Sequence, residues 1–276
     1  MQALLILVIA ALVIYASLSI GYIFFQEKFL FRSKKLPRDF QHPCLLPHEE
    51  LFLPTADGET INALWVQSKQ RKGIVIYYHG NMLHLTNYLP YIHKFTDEGY
   101  DVLISDYRSF GKSTGTLTEE NFYSDSLMIF DWVMKKFPDV PLIVYGRSMG
   151  TAAACHVASQ RNCKHLILEA PFFSLHDLSW FYGLVVPKKV RLKFSFRNNE
   201  FLPQVKSPVT IFHGTKDSIV SYKSGKKLLA FLNEGDQFIT IEGGGHNNLE
   251  QFELYHTELE KVLQGELRDP LPPHSL

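Results

Sequence analysis

Short, continuous apolar runs alternate with longer amphipathic stretches along most of this chain. The runs at 61–66, 74–78, 102–105, 142–145, 165–168, 209–213 and 238–241 are apolar at successive positions. Strands covered on both faces of a sheet have this pattern, whereas a half-exposed strand alternates. Between them, residues 121–137, 151–160, 222–232 and 252–263 place apolar side chains at helical spacing. Strand–helix alternation predicts an α/β chain with a mostly parallel sheet flanked by helices. Residues 172–204 follow neither period, are rich in aromatic and basic residues, and stand where such a sheet accepts an inserted cap. That stretch, with Trp180, Phe181, Tyr182, Leu184, Val185 and Val186, is the expected place for substrate selection.

The opening of the chain follows a different rule. Residues 3–25 contain no charge and are apolar on every helical face. As a helix they cover roughly 34 Å, enough to cross a bilayer. A signal peptide would carry basic residues before a shorter apolar run, and this segment has neither. Residues 1–26 are therefore expected to form an uncleaved transmembrane anchor, with 27–50 a juxtamembrane linker. Lys28, Arg32, Lys34, Lys35 and Arg38 crowd the exit of the segment, which predicts a catalytic domain on the cytoplasmic side. The three cysteines, Cys44, Cys155 and Cys163, suit that reducing compartment as unpaired thiols. Lys+Arg and Asp+Glu are both 28, so no net field gathers a polyanion, and nucleic acid is excluded as a partner. An apolar share of 46% is ample for one core, expected over 51–265, and the proline-rich residues 266–276 read as a mobile tail.

One motif carries chemistry. Gly146-Arg147-Ser148-Met149-Gly150 follows a predicted strand and precedes a helix opening on Thr151 and three alanines. This is the pattern of a nucleophile elbow, in which flanking glycines allow a sharp strand-to-helix turn that presents the serine. A serine hydroxyl is a weak nucleophile, so it requires a neighbouring base and an acid that orients the base. Asp217 follows the strand at 209–213 and is the expected acid, with Asp236, Glu169 and Asp177 as rivals. His246, in Gly243-Gly244-Gly245-His246 beyond the last strand, is the expected base; His256 and His274 lie on the final helix and in the tail. The backbone amides of Met149 and of Asn81, or else Met82, are the expected donors to an oxyanion. His79 reads as a structural hydrogen-bonder, and the chemistry requires no metal or organic cofactor.

With these motifs in place, the chain resembles the α/β-hydrolase superfamily over roughly residues 51–263, and within it the membrane-tethered, Bem46-like branch of serine hydrolases. The resemblance rests also on His79-Gly80-Asn81, on the run from Asp106 to Ser113, and on His213-Gly214-Thr215-Lys216-Asp217. That branch normally has glycine where this chain has Ser109, and small residues where it has Met82-Leu83-His84. The resemblance implies a serine esterase or thioesterase working on a small-molecule or lipid acyl substrate, or on an acylated protein, beside the membrane bilayer. The alternatives are a serine peptidase and a non-catalytic membrane scaffold. Arg191, Lys193 and Arg197 offer either a site for acidic lipid heads or a solvated face, and the second is the expected reading.

Overall fold

The computed structural model describes residues 1–178 and 193–265. The six expected cap residues from Trp180 to Val186, together with Arg191, His274 and the rest of the tail, lie outside them.

Ten strands occur in the described residues: β1 (Arg32–Ser33), β2 (His48–Pro54), β3 (Thr60–Val66), β4 (Gly73–Tyr78), β5 (Met82–Leu83), β6 (Tyr100–Ser105), β7 (Leu142–Arg147), β8 (His165–Glu169), β9 (Val209–Gly214) and β10 (Gln237–Ile241). Eight of them form one sheet in the order β10-β9-β8-β7-β4-β6-β3-β2. Strands β6, β4, β7, β8, β9 and β10 run parallel, while β3 and β2 join the β6 edge antiparallel. All seven predicted strands are present, extended by a residue or two. The central β4, β6, β7, β8 and β9 are buried at every position, which explains their continuous apolar runs. The helices are α1 (Gln2–Leu30), α2 (His93–Thr96), α3 (Glu119–Lys136), α4 (Gly150–Gln160), α5 (Asn198–Phe201), α6 (Tyr222–Lys226) and α7 (Glu253–Gln264). Thr118 starts α3 with a reciprocal capping box to Asn121, and Gly265 ends α7 in the left-handed conformation.

The predicted helix at 222–232 divides into α6 and a 3-10 segment, Lys227–Phe231. Strand β2 lacks a sequence signature because its first half, His48-Glu49-Glu50, is charged or polar and sits at the sheet's edge. Its start at His48 places the sheet's first residues before position 51, inside the stretch expected to be linker.

Every residue of α1 up to Leu18 is exposed, and Gln2–Gly21 is long and apolar enough to cross a membrane. At Phe25 the backbone leaves helical geometry (φ −109°, ψ 21°), and the short piece beyond this kink docks on the domain. Leu30 is buried in the main core, Glu27 pairs with Lys193, and Phe31 packs edge-on to Phe194 at 4.7 Å. The chain then runs across the domain: β1 pairs with β5, the Leu36 N–H donates to Gly111 O, and Lys35 bonds Ser113 O. Residues 26–36 are thus built into the folded domain.

Candidate active site

Ser148 sits between the end of β7 and the start of α4 with φ +53°, a left-handed conformation that a residue with a side chain seldom adopts. The flanking glycines make the turn sterically feasible. A Cβ on Gly150 would lie 1.9 Å from Tyr78 O, and one on Gly146 would lie 2.7 Å from the Ala154 Cβ. The turn is held by the Ser148 N–H donating to Glu169 O at 2.9 Å and by Thr151, whose N–H and hydroxyl both donate to Ser148 O.

The structure brings Ser148, His246 and Asp217 together from three loops at the carboxyl edge of the sheet. His246 Nε2 lies 3.1 Å from Ser148 Oγ, and His246 Nδ1 lies 2.8 Å from Asp217 Oδ2. A carboxylate can only accept, so Nδ1 carries the proton and Nε2 is free to accept from the serine hydroxyl. Asp217 is itself fixed: its Oδ1 accepts from the N–H groups of Ile219 (2.9 Å) and Val220 (2.8 Å). His213 Nε2 is 3.0 Å from Val220 O and 3.6 Å from Asp217 Oδ2, so its proton goes to the carbonyl while its ring faces the carboxylate. Burial alone would raise the Asp217 carboxyl. The imidazoles of His213 and His246 and the Val220 N–H outweigh it and hold the group well below the ordinary carboxylate range.

The rival residues lie elsewhere. Asp236 accepts from the N–H groups of Val209 and Asn233 in the turn before β10. Asp177 binds Ser224 and Lys227, and His256 is exposed on α7 with Nε2 2.7 Å from Glu250 O. His79 is fully buried, with Nδ1 2.7 Å from Gly80 O and Nε2 3.3 Å from Asp106 Oδ1, as a structural histidine should be. Of the basic residues weighed for lipid heads, Lys193 and Arg197 are both exposed and paired to carboxylates, Glu27 and Glu200.

Glu169 has a role that the sequence reading missed. It is buried and receives Arg147 Nε at 3.0 Å, Lys94 at 3.3 Å, and the hydroxyls of Tyr145 and Tyr255. Burial opposes its charge, yet the two cations and two hydroxyls bring its carboxyl down to about 2. Arg147, the variable residue of the serine motif, also donates to the His246 carbonyl (3.3 Å) and to Asn247 Oδ1 (3.1 Å), and stacks its guanidinium 4.5 Å from the Tyr91 ring centre. The elbow and the histidine loop are therefore joined through one buried ion cluster. An uncharged-looking strand end followed by a lone Glu gives no hint of this, because its partners come from α2, β7 and α7.

The loop after β4 faces the serine from the other side. Asn81 lines the cavity at Ser148, its side-chain N–H donates to Leu30 O at 2.7 Å, and its carbonyl accepts from Arg32 N–H at 3.0 Å. Met149 opens α4, where the first N–H groups of a helix have no intrahelical acceptor. The cavity is about 200 Å³ and includes Arg32, Met82, Tyr88 and Ile219 besides Ser148 and His246. Among the described residues no group of His, Cys, Asp and Glu could hold a metal ion.

The serine aminopeptidase, S33 family model matches residues 69–200. Human protein ABHD12B is 31% identical over 201 residues, covering 64% of this chain and 56% of its own length. The eight-stranded order, the left-handed serine and the likeness to solved structures together decide the fold. The chain has the α/β-hydrolase fold. The lysophosphatidylserine lipase ABHD12 of Macaca fascicularis is 26% identical over 267 residues, covering 82% of this chain and 64% of the lipase. The chain thus spans under two thirds of the length of these two relatives. Among solved structures, the esterase Pf2001 of Pyrococcus furiosus superposes with a TM-score of 0.68 at 17% identity, over 87% of this chain and 99% of that one, a likeness of fold.

Proposed function

We propose that this protein is a membrane-anchored serine hydrolase that cleaves an ester or thioester through an acyl-enzyme. The observation that carries this reading is the unbroken line of hydrogen bonds from Ser148 Oγ through His246 to Asp217. In the reaction, His246 Nε2 takes the hydroxyl proton as Ser148 Oγ attacks the acyl carbon, and then returns it to the leaving group. Water repeats the sequence to free the acid and regenerate the serine. Asp217 keeps the imidazole in the required tautomer and stabilises the imidazolium. The Met149 amide and an amide of the 81–82 loop receive the oxyanion, Met149 with the favourable field of a helix N-terminus.

The exposed apolar helix α1 supports single-pass anchoring, and the basic residues after its kink support a cytoplasmic domain. The lipase among the relatives, and a site beside such a helix, favour a fatty-acyl or lipid substrate. Labelling by a fluorophosphonate probe tests the core of the reading: the native chain is expected to label, and Ser148→Ala and His246→Ala are not. A folded native chain that stays unlabelled would put the non-catalytic scaffold in its place. A second reading, a serine peptidase, is favoured by the description of the matched family model. Turnover of peptide amides at rates comparable with esters would move it ahead.

A further inference from the structure

Arg32 lines the cavity at Ser148, although it comes from the stretch just beyond the membrane helix. Pairing of β1 with β5 fixes its backbone opposite Met82. Its side chain is exposed and has no ion pair, hydrogen bond or ring contact among the described residues. Of the neighbouring cations in the same segment, Lys28 lies over the Phe25 ring, Lys35 bonds Ser113 O and Arg38 lies over the Phe52 ring, while Lys34 is exposed but is not among the residues lining the cavity. The second cation of the cavity, Arg147, is matched by Glu169. Among the described residues no Asp or Glu lines the cavity, so one positive charge without a carboxylate partner stands beside the serine. Next to it are two exposed apolar side chains, Met82 and Ile219, an arrangement complementary to an amphiphile with a negative group near its acyl bond.

We propose that Arg32 is a specificity residue that selects acyl substrates bearing an anionic oxygen group, phosphate or carboxylate, close to the scissile ester or thioester. The proposal rests on the serine-hydrolase reading above and names the substrate class of that site. A guanidinium presents a planar fork of donors that matches either anion, and is weakly hydrated enough to bind at a surface. Arg32 lies two residues past the end of α1, beyond the Phe25 kink, on the piece of chain that is docked on the domain. The group could belong to a lipid head or to a soluble acyl ester, and the substrates of the test separate the two.

The test uses the full chain in mixed micelles with two matched pairs: a monoacylglycerol against a monoacylglycerol phosphate, and a neutral short-chain thioester against its ω-carboxylate analogue. For each pair the ratio of kcat/KM, anionic over neutral, is compared in the native chain, Arg32→Gln and Arg32→Lys, with fluorophosphonate labelling run alongside. Arg32→Gln is expected to lower the ratio about fivefold, chiefly through KM, and Arg32→Lys to restore most of it. A drop in both pairs means that the charge itself is recognised, and a drop in the lipid pair alone means a head group; each supports the proposal. A ratio that stays within about twofold of native, with labelling intact, overturns the proposal and leaves the hydrolase reading standing. Loss of labelling in Arg32→Gln would make Arg32 a structural residue and also overturn it, and absence of labelling in the native chain removes both readings together.

Discussion

The two sides of the candidate site are supported in physically different ways. On the elbow side, Arg147 and Ser148 rest on Glu169 and Lys94, charges sunk in the core and joined at 3.0 and 3.3 Å. On the opposite side, the Asn81 loop is tied to residues 30–34 at and just after the end of α1, by Asn81 to Leu30 O and by the β1–β5 pairing. The first support is closed within the sheet and its helices. The second reaches into the site from the end of α1, so the loop's position depends on how that helix is held. A site built this way has one rigid jaw and one jaw coupled to the N-terminal apolar helix.

Removing the buried charge should have the largest effect. Glu169→Gln leaves Arg147 buried without its counter-charge, while Lys94 keeps Glu250 at 2.7 Å, and the change is expected to cost about 3 kcal/mol of stability. Denaturation of the full chain in detergent measures it, and a loss under about 1 kcal/mol would remove the rigid-jaw contrast. The pH dependence sharpens the test. The folded-state carboxyl of Glu169 stands at about 2, below the ordinary 4.5. Its ionised form is therefore favoured by folding: the stabilisation is complete above about pH 4.5 and is lost as pH falls towards 2. Asp217, also held low, adds in the same direction. Glu169→Gln should flatten the part of this acid limb that belongs to Glu169 and leave the part that belongs to Asp217.

The other jaw should respond mainly in activity. Asn81→Ala removes one hydrogen bond at a partly exposed position, worth about 1 kcal/mol of stability. The loop it carries lines the cavity at Ser148, and under the proposed mechanism a small displacement there should cost about tenfold to a hundredfold in kcat. Asn81→Asp, which sets a carboxylate against the Leu30 carbonyl, should lower kcat further. If kcat holds while stability falls in both variants, the tie to α1 serves the fold and not the site.

Much of the sheet was legible because its central strands are buried on both faces and so read as continuous apolar runs. The serine turn was legible because only glycine fits at positions 146 and 150, where a Cβ would strike backbone or a packed alanine. Two features were not. Strand β2 carries charges in its first half and sits at an edge, so it shows no hydrophobic period. The ion cluster of Lys94, Arg147 and Glu169 assembles residues far apart in the chain, each of which looks like ordinary surface charge by itself. The linker reading of 27–50 shares this cause: a basic stretch resembles a solvated spacer, while its attachment to the domain uses backbone pairing, which leaves no mark on composition.

The smallest effect belongs to Ser109, at the turn that presents Gly111 to the chain just after β1. Ser109 has φ +68°, a left-handed conformation that favours glycine. Its hydroxyl accepts from the Leu117 N–H at 3.1 Å, a bond glycine cannot make. Substituting glycine relieves roughly 1 kcal/mol of left-handed strain, but it forfeits a hydrogen bond of about the same size and adds unfolded-state entropy. Ser109→Gly should therefore be mildly destabilising, by about 0.5 kcal/mol, and Ser109→Ala clearly worse, since it keeps the strain and loses the bond. The order serine, glycine, alanine in denaturation midpoints would show that the hydroxyl offsets the strained backbone. A glycine variant more stable than native by about 1 kcal/mol would show that the strain is uncompensated, and that this turn holds the anchored jaw at a cost to the fold.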